Sequence, residues 1–129
     1  MPHSEVLIAD DDSLLRTVLE HKLVAAGYAV LSVEDGRAAL ATASASRPAA
    51  IVLDAMMPVM DGFEALRRLK ADPELKAIPV VMLTALKRED DVVSALRLGA
   101  ADYMAKPFSP EELVARIDRL ARPIARPEL

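Results

Sequence analysis

The sequence predicts a single α/β domain of three layers: a five-stranded parallel sheet with five helices on its two faces. Three observations lead there. Short β-branched apolar runs alternate with longer amphipathic stretches, five times over. The short runs are continuously apolar rather than alternating, as strands covered on both faces require. Each intervening stretch is long enough for a crossover helix and too long for a hairpin, so successive strands run parallel with right-handed connections. The chain has 129 residues, of which 53% are apolar. That is enough for one core and not for two, so a multidomain enzyme is not expected.

The elements follow in order. Glu5 to Asp10 reads as a buried strand, and Asp12-Ser13 offers an N-cap. Leu15, Val18, Leu19 and Leu23 then recur at helical spacing, and Gly27 supplies the stop. Tyr28 to Val33 is the second strand. Asp35-Gly36 opens an Ala-rich helix through about Ala45, and Ala50 to Asp54 is the third strand. Asp61 followed by Glu64 fits a capping box with Asp in place of Ser, ahead of the stripe Phe63, Leu66 and Leu69. Pro79 to Thr84 is the fourth strand. Val92, Val93 and Leu96 mark the fourth helix, which ends at Gly99, and Ala101 to Ala105 is a short fifth strand. Ser109-Pro110-Glu111-Glu112 starts the last helix, with Leu113, Val114, Ile117, Leu120 and Ala121 as its stripe. The domain is expected over 1–121. The Pro-containing segment 122–129 is expected to be a tail or linker stub.

Composition removes several functions. Lys and Arg total 16 against 20 Asp and Glu, a net charge of -4, and aromatics are 3% with no Trp. A basic stripe and stacking platform are both missing, so direct nucleic-acid binding by this domain is not expected. No cysteine means no disulfide, no thiolate catalysis and no cysteine metal site, consistent with a reducing compartment. No apolar run approaches the ~20 residues of a membrane span, and Met1 to Glu5 does not begin a signal peptide. A cytoplasmic location, away from membranes, is expected.

Ligands of such sheets bind beyond the carboxyl ends of the strands, where strand order reverses. Strand one ends in Asp10-Asp11-Asp12, strand three in Asp54, strand four in Thr84-Ala85 and strand five in Ala105-Lys106-Pro107. Strand two ends in Val33-Glu34, read as a plain loop. Carboxylates gathered at one rim repel, so either one is protonated or a cation sits among them. With no Cys and no nearby His, oxygen is the ligand on offer, and a few carboxylates plus water suit Mg²⁺. A thioether is a poor ligand for such an ion, so the six Met residues read as gap-filling. Lys106 adds a mobile positive charge and Thr84 a hydroxyl donor. Together these make a phosphoryl-transfer site in which a carboxylate is the nucleophile. Two like charges ~4 Å apart cost about 4 kcal/mol at an effective dielectric near 20, so a phosphoryl dianion beside Asp10 and Asp11 demands a divalent ion.

These residues resemble the receiver domain of response regulators in two-component signalling. The resemblance covers Val6 to about Leu120. It rests on Val6-Leu7-Ile8-Ala9-Asp10-Asp11, Leu53-Asp54 with Met57-Pro58 and Met60-Asp61-Gly62, Val81-Met82-Leu83-Thr84-Ala85, Asp102-Tyr103 and Lys106-Pro107-Phe108. The resemblance implies a flavodoxin-like sheet in the order 2-1-3-4-5. It implies Asp54 as phosphoacceptor from a phosphohistidine on a sensor histidine kinase or phosphotransfer protein. Asp10, Asp11, Asp54 and the Met56 carbonyl would hold Mg²⁺, with Mn²⁺ as a substitute. Thr84 and the Ala85 N–H would hold phosphoryl oxygens, Lys106 would pair with the phosphate, and Lys106-Pro107 would be a cis peptide. Thr84 moving toward the phosphate, with Tyr103 swinging inward, would re-pack the face of the fourth helix, fifth strand and fifth helix. That face carries Lys87, Arg88, Glu89, Asp90, Asp91, Arg97, Asp102, Arg116, Asp118 and Arg119, whose mixed charges suit a two-fold homodimer. Met56 and Leu86, each two residues beyond Asp54 and Thr84, are expected to slow acyl-phosphate hydrolysis by excluding water.

Two other readings compete. Asp10-Asp11-Asp12 contains the D-x-D pattern that haloacid-dehalogenase-like Mg²⁺ phosphatases place after their first strand, which would make Asp10 the nucleophile. The acidic pair such enzymes want after their lysine is missing behind Lys106-Pro107-Phe108. A receiver-like platform working without phosphate would not need the full set of acids, Thr84 and Lys106. The expectation is therefore a signalling receiver that catalyses only its own phosphorylation and slow dephosphorylation. The sequence does not identify the kinase or the output. His3 and His21 are assigned no role.

Overall fold

Five βα units alternate along the chain: β1 (Glu5–Ala9), α1 (Ser13–Ala25), β2 (Ala29–Val33), α2 (Gly36–Ser46), β3 (Ala50–Asp54), α3 (Gly62–Ala71), β4 (Val80–Thr84), α4 (Glu89–Arg97), β5 (Asp102–Ala105) and α5 (Pro110–Ala121). They belong to a computed structural model that describes residues 4–85 and 89–121, the Glu89 side chain excepted. The expected tail 122–129 lies outside the described residues. All strand pairs are parallel and the order is β2-β1-β3-β4-β5. The predicted strands and helices are therefore all present, with ends that differ by at most a residue or two.

The continuous apolar runs have the expected cause. β3 and β4 are buried at every position and β1 at all but Glu5, whereas the edge strand β2 is only half-buried. Successive side chains point to opposite faces of the sheet, so each strand feeds two cores. Leu7, Ile51, Leu53, Val80 and Met82 pack with Ala39 and Ala43 of α2, Leu66 and Leu69 of α3 and Ala95 of α4. Val6, Ile8, Val52, Val81 and Leu83 pack with Leu19 and Leu23 of α1 and Leu113 and Ile117 of α5.

The helix punctuation follows local chemistry. Asp12, Asp35 and Asp61 cap α1, α2 and α3, each accepting a backbone N–H from the first turn. Gly27 (φ 101°) and Gly99 (φ 107°) take the left-handed conformation that follows α1 and α4. The capping box at α3 is only half formed. Asp61 accepts from the Glu64 N–H at 2.9 Å, but the Glu64 carboxylate is held by Arg67 and Arg68. Two guanidinium partners outcompete one neutral N–H.

Two predicted stripes differ from the structure. Val18 is exposed on α1, and on α4 the buried residue is Ala95 while Val93 and Leu96 are exposed. α4 packs against the four-residue strand β5, which offers a narrow surface that a small side chain matches.

The strand order reverses between β1 and β3. Ala9 sits opposite Leu53, so Asp10 and Asp54 emerge side by side at the carboxyl edge. The loop after β3 is held at its neck by Gly62, whose N–H donates to the Ala55 carbonyl at 2.9 Å. A Cβ at Gly62 would lie 2.1 Å from the Asp54 carbonyl oxygen. At the loop's far side Gly36, the first residue of α2, donates to the Met60 carbonyl at 3.0 Å, and a Cβ there would stand 2.3 Å from that oxygen. Between them Val59 is forced to φ 68°, a costly conformation for a β-branched residue.

Substitutions in this loop should have opposite signs in urea unfolding. Gly62→Ala should lose at least ~2 kcal/mol, because backbone must move to admit the methyl group. Val59→Gly should gain about 0.5–1 kcal/mol by releasing strain, less the entropy a glycine adds to the unfolded chain.

Candidate functional site

Asp10 follows β1 and is tied to β2 by its N–H, which donates to the Val33 carbonyl at 3.1 Å. Its carboxylate is fully buried. Oδ1 accepts the Asp12 N–H at 2.9 Å and Oδ2 accepts Lys106 Nζ at 2.9 Å. Asp54 ends β3, and its Oδ1 lies 3.3 Å from the same ammonium, while the Met56 N–H also bonds its carboxylate. Asp11 is exposed. Asp10, Asp11 and Asp54 each present a carboxylate oxygen within 4.8 Å of the others. Lys106 is reached from β5, with its N–H donating to the Thr84 carbonyl at 2.7 Å and its bond to Pro107 cis. Thr84 ends β4, is buried, and forms a hydrogen bond with half-buried Tyr103; Ala85 follows it, exposed.

The charges here are strongly coupled. Burial, and then the Asp10 charge, raise the Asp54 pKa above that of an ordinary carboxyl; Lys106 and the Met56 N–H pull the other way without cancelling them. Burial works against the Lys106 ammonium, yet its hydrogen bond to Asp10 and the charges of Asp54 and Asp10 together raise its pKa. One ammonium thus faces three carboxylates, and the deficit of positive charge is what a cation would meet. The donor set is all oxygen, and the exposure of Asp11 leaves one side open to water. These residues fit a hard divalent ion that keeps part of its hydration shell.

Of the residues singled out from sequence, Asp10, Asp11, Asp54 and Lys106 converge, and Thr84 and Ala85 end the neighbouring strand. Met56 lies in the loop beyond Asp54 with its side chain 59% exposed. Leu86 lies outside the described residues. His21 is exposed on α1, remote from the strand ends. Sequence reading passed over two contacts. Arg16 Nη1, on α1, donates to the Asp10 carbonyl at 2.7 Å, and Gly36, at the start of α2, meets Met60. For Arg16 the available signal was a cation one turn beyond the Asp12 cap, beside an acidic strand end.

With this geometry in view, comparison with known proteins is specific. Residues 6–118 match the family model described as the response regulator receiver domain. The chain is 46% identical over 113 residues to the "Probable transcriptional regulator ycf27" of Galdieria sulphuraria, covering 88% of this chain and 43% of that protein. It spans about half the length of the curated relatives it matches. Among solved structures it resembles the receiver domain of a sensor histidine kinase from Pseudomonas aeruginosa PAO1, which has a magnesium ion coordinated in its active site cleft. That match has TM-score 0.84 and 35% identity over 92% of this chain and 98% of that one. It also resembles the phosphorylated cyanobacterial phytochrome response regulator RcpA, with TM-score 0.82 and 29% identity over 98% and 99% of the two chains. The chain belongs to the response regulator receiver family, a module of two-component signal transduction. Among the described residues no helix is long and apolar enough to cross a membrane.

The raised Asp54 pKa carries a stability prediction. The folded state holds the Asp54 proton more tightly than the unfolded state, so this carboxylate costs stability as pH rises from the unfolded pKa through the folded one. The cost grows with pH across that window. Asp54→Asn should therefore raise the metal-free melting temperature at pH 7 by a few degrees, on the order of 1 kcal/mol. The difference should vanish in acid below about pH 4, and scanning calorimetry at both pH values checks it.

Proposed function

We propose that this domain is the phosphoacceptor switch of a two-component system, with Asp54 taking a phosphoryl group from a phosphohistidine on a sensor histidine kinase or phosphotransfer protein. One observation carries the reading. Three carboxylate oxygens within 4.8 Å share an edge with an ammonium 2.9 Å from Asp10 and 3.3 Å from Asp54. Asp10, Asp11, Asp54 and the Met56 carbonyl would hold Mg²⁺, or Mn²⁺ in its place, and the ion would supply the positive charge that a phosphoryl dianion needs in an acidic site.

The chain's own groups do the rest. Asp54 attacks phosphorus through a carboxylate oxygen. The new O–P bond forms as the P–N bond breaks, and the electron pair returns to the imidazole nitrogen of the donor. The Thr84 hydroxyl, the Ala85 N–H and the Lys106 ammonium receive the phosphoryl oxygens. Asp54 is favoured over Asp10 as nucleophile because the Asp10 side chain is sealed from solvent, whereas the Asp54 carboxylate keeps a little exposure. The module catalyses only its own phosphorylation and slow dephosphorylation, and the exposed Met56 side chain hinders attacking water.

The output is carried by the bond between Thr84 and Tyr103. Drawing Thr84 toward phosphate biases the packing of Tyr103 and with it the face of α4, β5 and α5. On that face Arg116 pairs with Asp102 at 2.7 Å and Glu112 at 2.6 Å, while exposed Arg119 stands 3.9 Å from Asp102. These pairs are exchangeable between two copies, which supports a homodimer through α4, β5 and α5. The relatives' greater length and regulator names support an output region elsewhere in a longer cytoplasmic protein, not nucleic-acid contact by this domain.

Incubation with acetyl phosphate and Mg²⁺ should add one phosphoryl mass to the intact protein, and none to Asp54→Asn or in excess EDTA. Full-rate labelling in chelator, or label mapped to Asp10, would refute the assignment. Met56→Asn should shorten the phosphoryl lifetime severalfold in a phosphate-release assay.

A further inference from the structure

We propose that Arg16 is a positioning residue for the acid cluster, aiming Asp11 through the Asp10 carbonyl. The inference rests on the Mg²⁺ reading above and extends it to a residue outside the ligand set.

The segment Asp10–Asp12 is braced at three backbone points. The Asp10 N–H is fixed to β2 through Val33, and the Asp12 N–H to the Asp10 carboxylate. The third point is the Asp10 carbonyl, which accepts Arg16 Nη1 at 2.7 Å in a partly buried, charge-assisted bond. That carbonyl belongs to the peptide joining Asp10 to Asp11, so gripping it sets the plane from which the Asp11 side chain projects. The Asp10 carboxylate has its own anchors in Lys106 and Asp12. Among the described residues no hydrogen bond or ion pair holds the Asp11 carboxylate, so its aim is inherited from the backbone. Arg16 is itself placed by α1, where its N–H donates to the carbonyl of the capping residue Asp12 at 3.0 Å. Its outer side lines a polar cleft with Glu34 and Asp35.

Positioning and plain electrostatics predict opposite signs. A cation beside a metal site repels the metal, so if charge alone mattered, removing it would tighten Mg²⁺ binding. If Arg16 aims Asp11, removing it loosens binding. Groups that orient metal ligands typically change affinity 10–100-fold when lost.

The test is isothermal titration of the full chain with Mg²⁺, for wild type, Arg16→Met and Arg16→Lys. Arg16→Met should bind about tenfold more weakly. Arg16→Lys, which keeps one N–H donor, should recover most of the affinity. The Asp11 amide resonance of metal-free Arg16→Met should shift, while its melting temperature stays within a few degrees of wild type. Arg16→Met binding as tightly as wild type, or more tightly, overturns the proposal. Should that variant not fold, neutral and shorter Arg16→Gln decides: weaker binding supports positioning, and equal or tighter binding overturns it. A wild-type chain that takes up no Mg²⁺ is a different failure, because it removes the metal reading of the site and this inference with it.

Discussion

Carboxylate repulsion at the reversal point of the sheet is the constraint around which this molecule is organised. Asp10 and Asp54 stand side by side because Ala9 and Leu53 are paired neighbours in a parallel ladder. A fold seeking only stability would not place two buried acids there, and the raised Asp54 pKa records the cost. Lys106 offsets part of it from the far side of β4, which requires β5 to run parallel in register with Thr84 opposite Ala105. The register of four strands therefore ends in one electrostatic balance that the chain alone leaves incomplete.

The same edge shows how much backbone is committed to holding the acids. The loop after Asp54 could relax if its contacts were ordinary, but glycine is required at both of its anchor points. Gly62 lies against the Asp54 carbonyl, and Gly36 brings the start of α2 onto the Met60 carbonyl. Val59 absorbs the resulting strain. Strain of this kind persists where the surroundings over-determine it, typically at functional sites. It follows that α2 is mechanically part of the site although it contributes no reactive side chain.

Most of this was legible in the sequence, for identifiable reasons. Strands covered on both faces advertise themselves as unbroken apolar runs, and caps such as Asp12, Asp35 and Asp61 are written in single residues. Asp10, Asp11, Asp54 and Lys106 were visible because each terminates a strand, and the topology sends strand ends to one rim. What failed was set by tertiary packing or by competition among neighbouring partners. The stripe on α4 pointed to Val93 and Leu96, but the narrow surface of β5 admits Ala95 instead. Glu64 fitted a capping box, yet the two arginines one turn on claimed it. The Arg16 bond is directed to a backbone carbonyl, so its signal in the sequence is indirect: a cation one turn beyond the Asp12 cap.

The division of labour between rigid and adjustable parts bears on the proposed switch. Asp10 and Asp54 are buried and bonded at strand ends, so the acids themselves have little room to move. Tyr103 differs. It is half-buried on the edge strand, linked to Thr84, and backed by a helix whose apolar residues are partly exposed. Weak packing on α4 lowers the cost of rearranging that helix, whereas the interlocked cores beneath α1, α3 and α5 resist it. A charge added at Asp54 is thus expected to find its cheapest response along Thr84, Tyr103 and α4. An input at the centre of the sheet would then be read at its edge, because that is where the fold is least tightly packed.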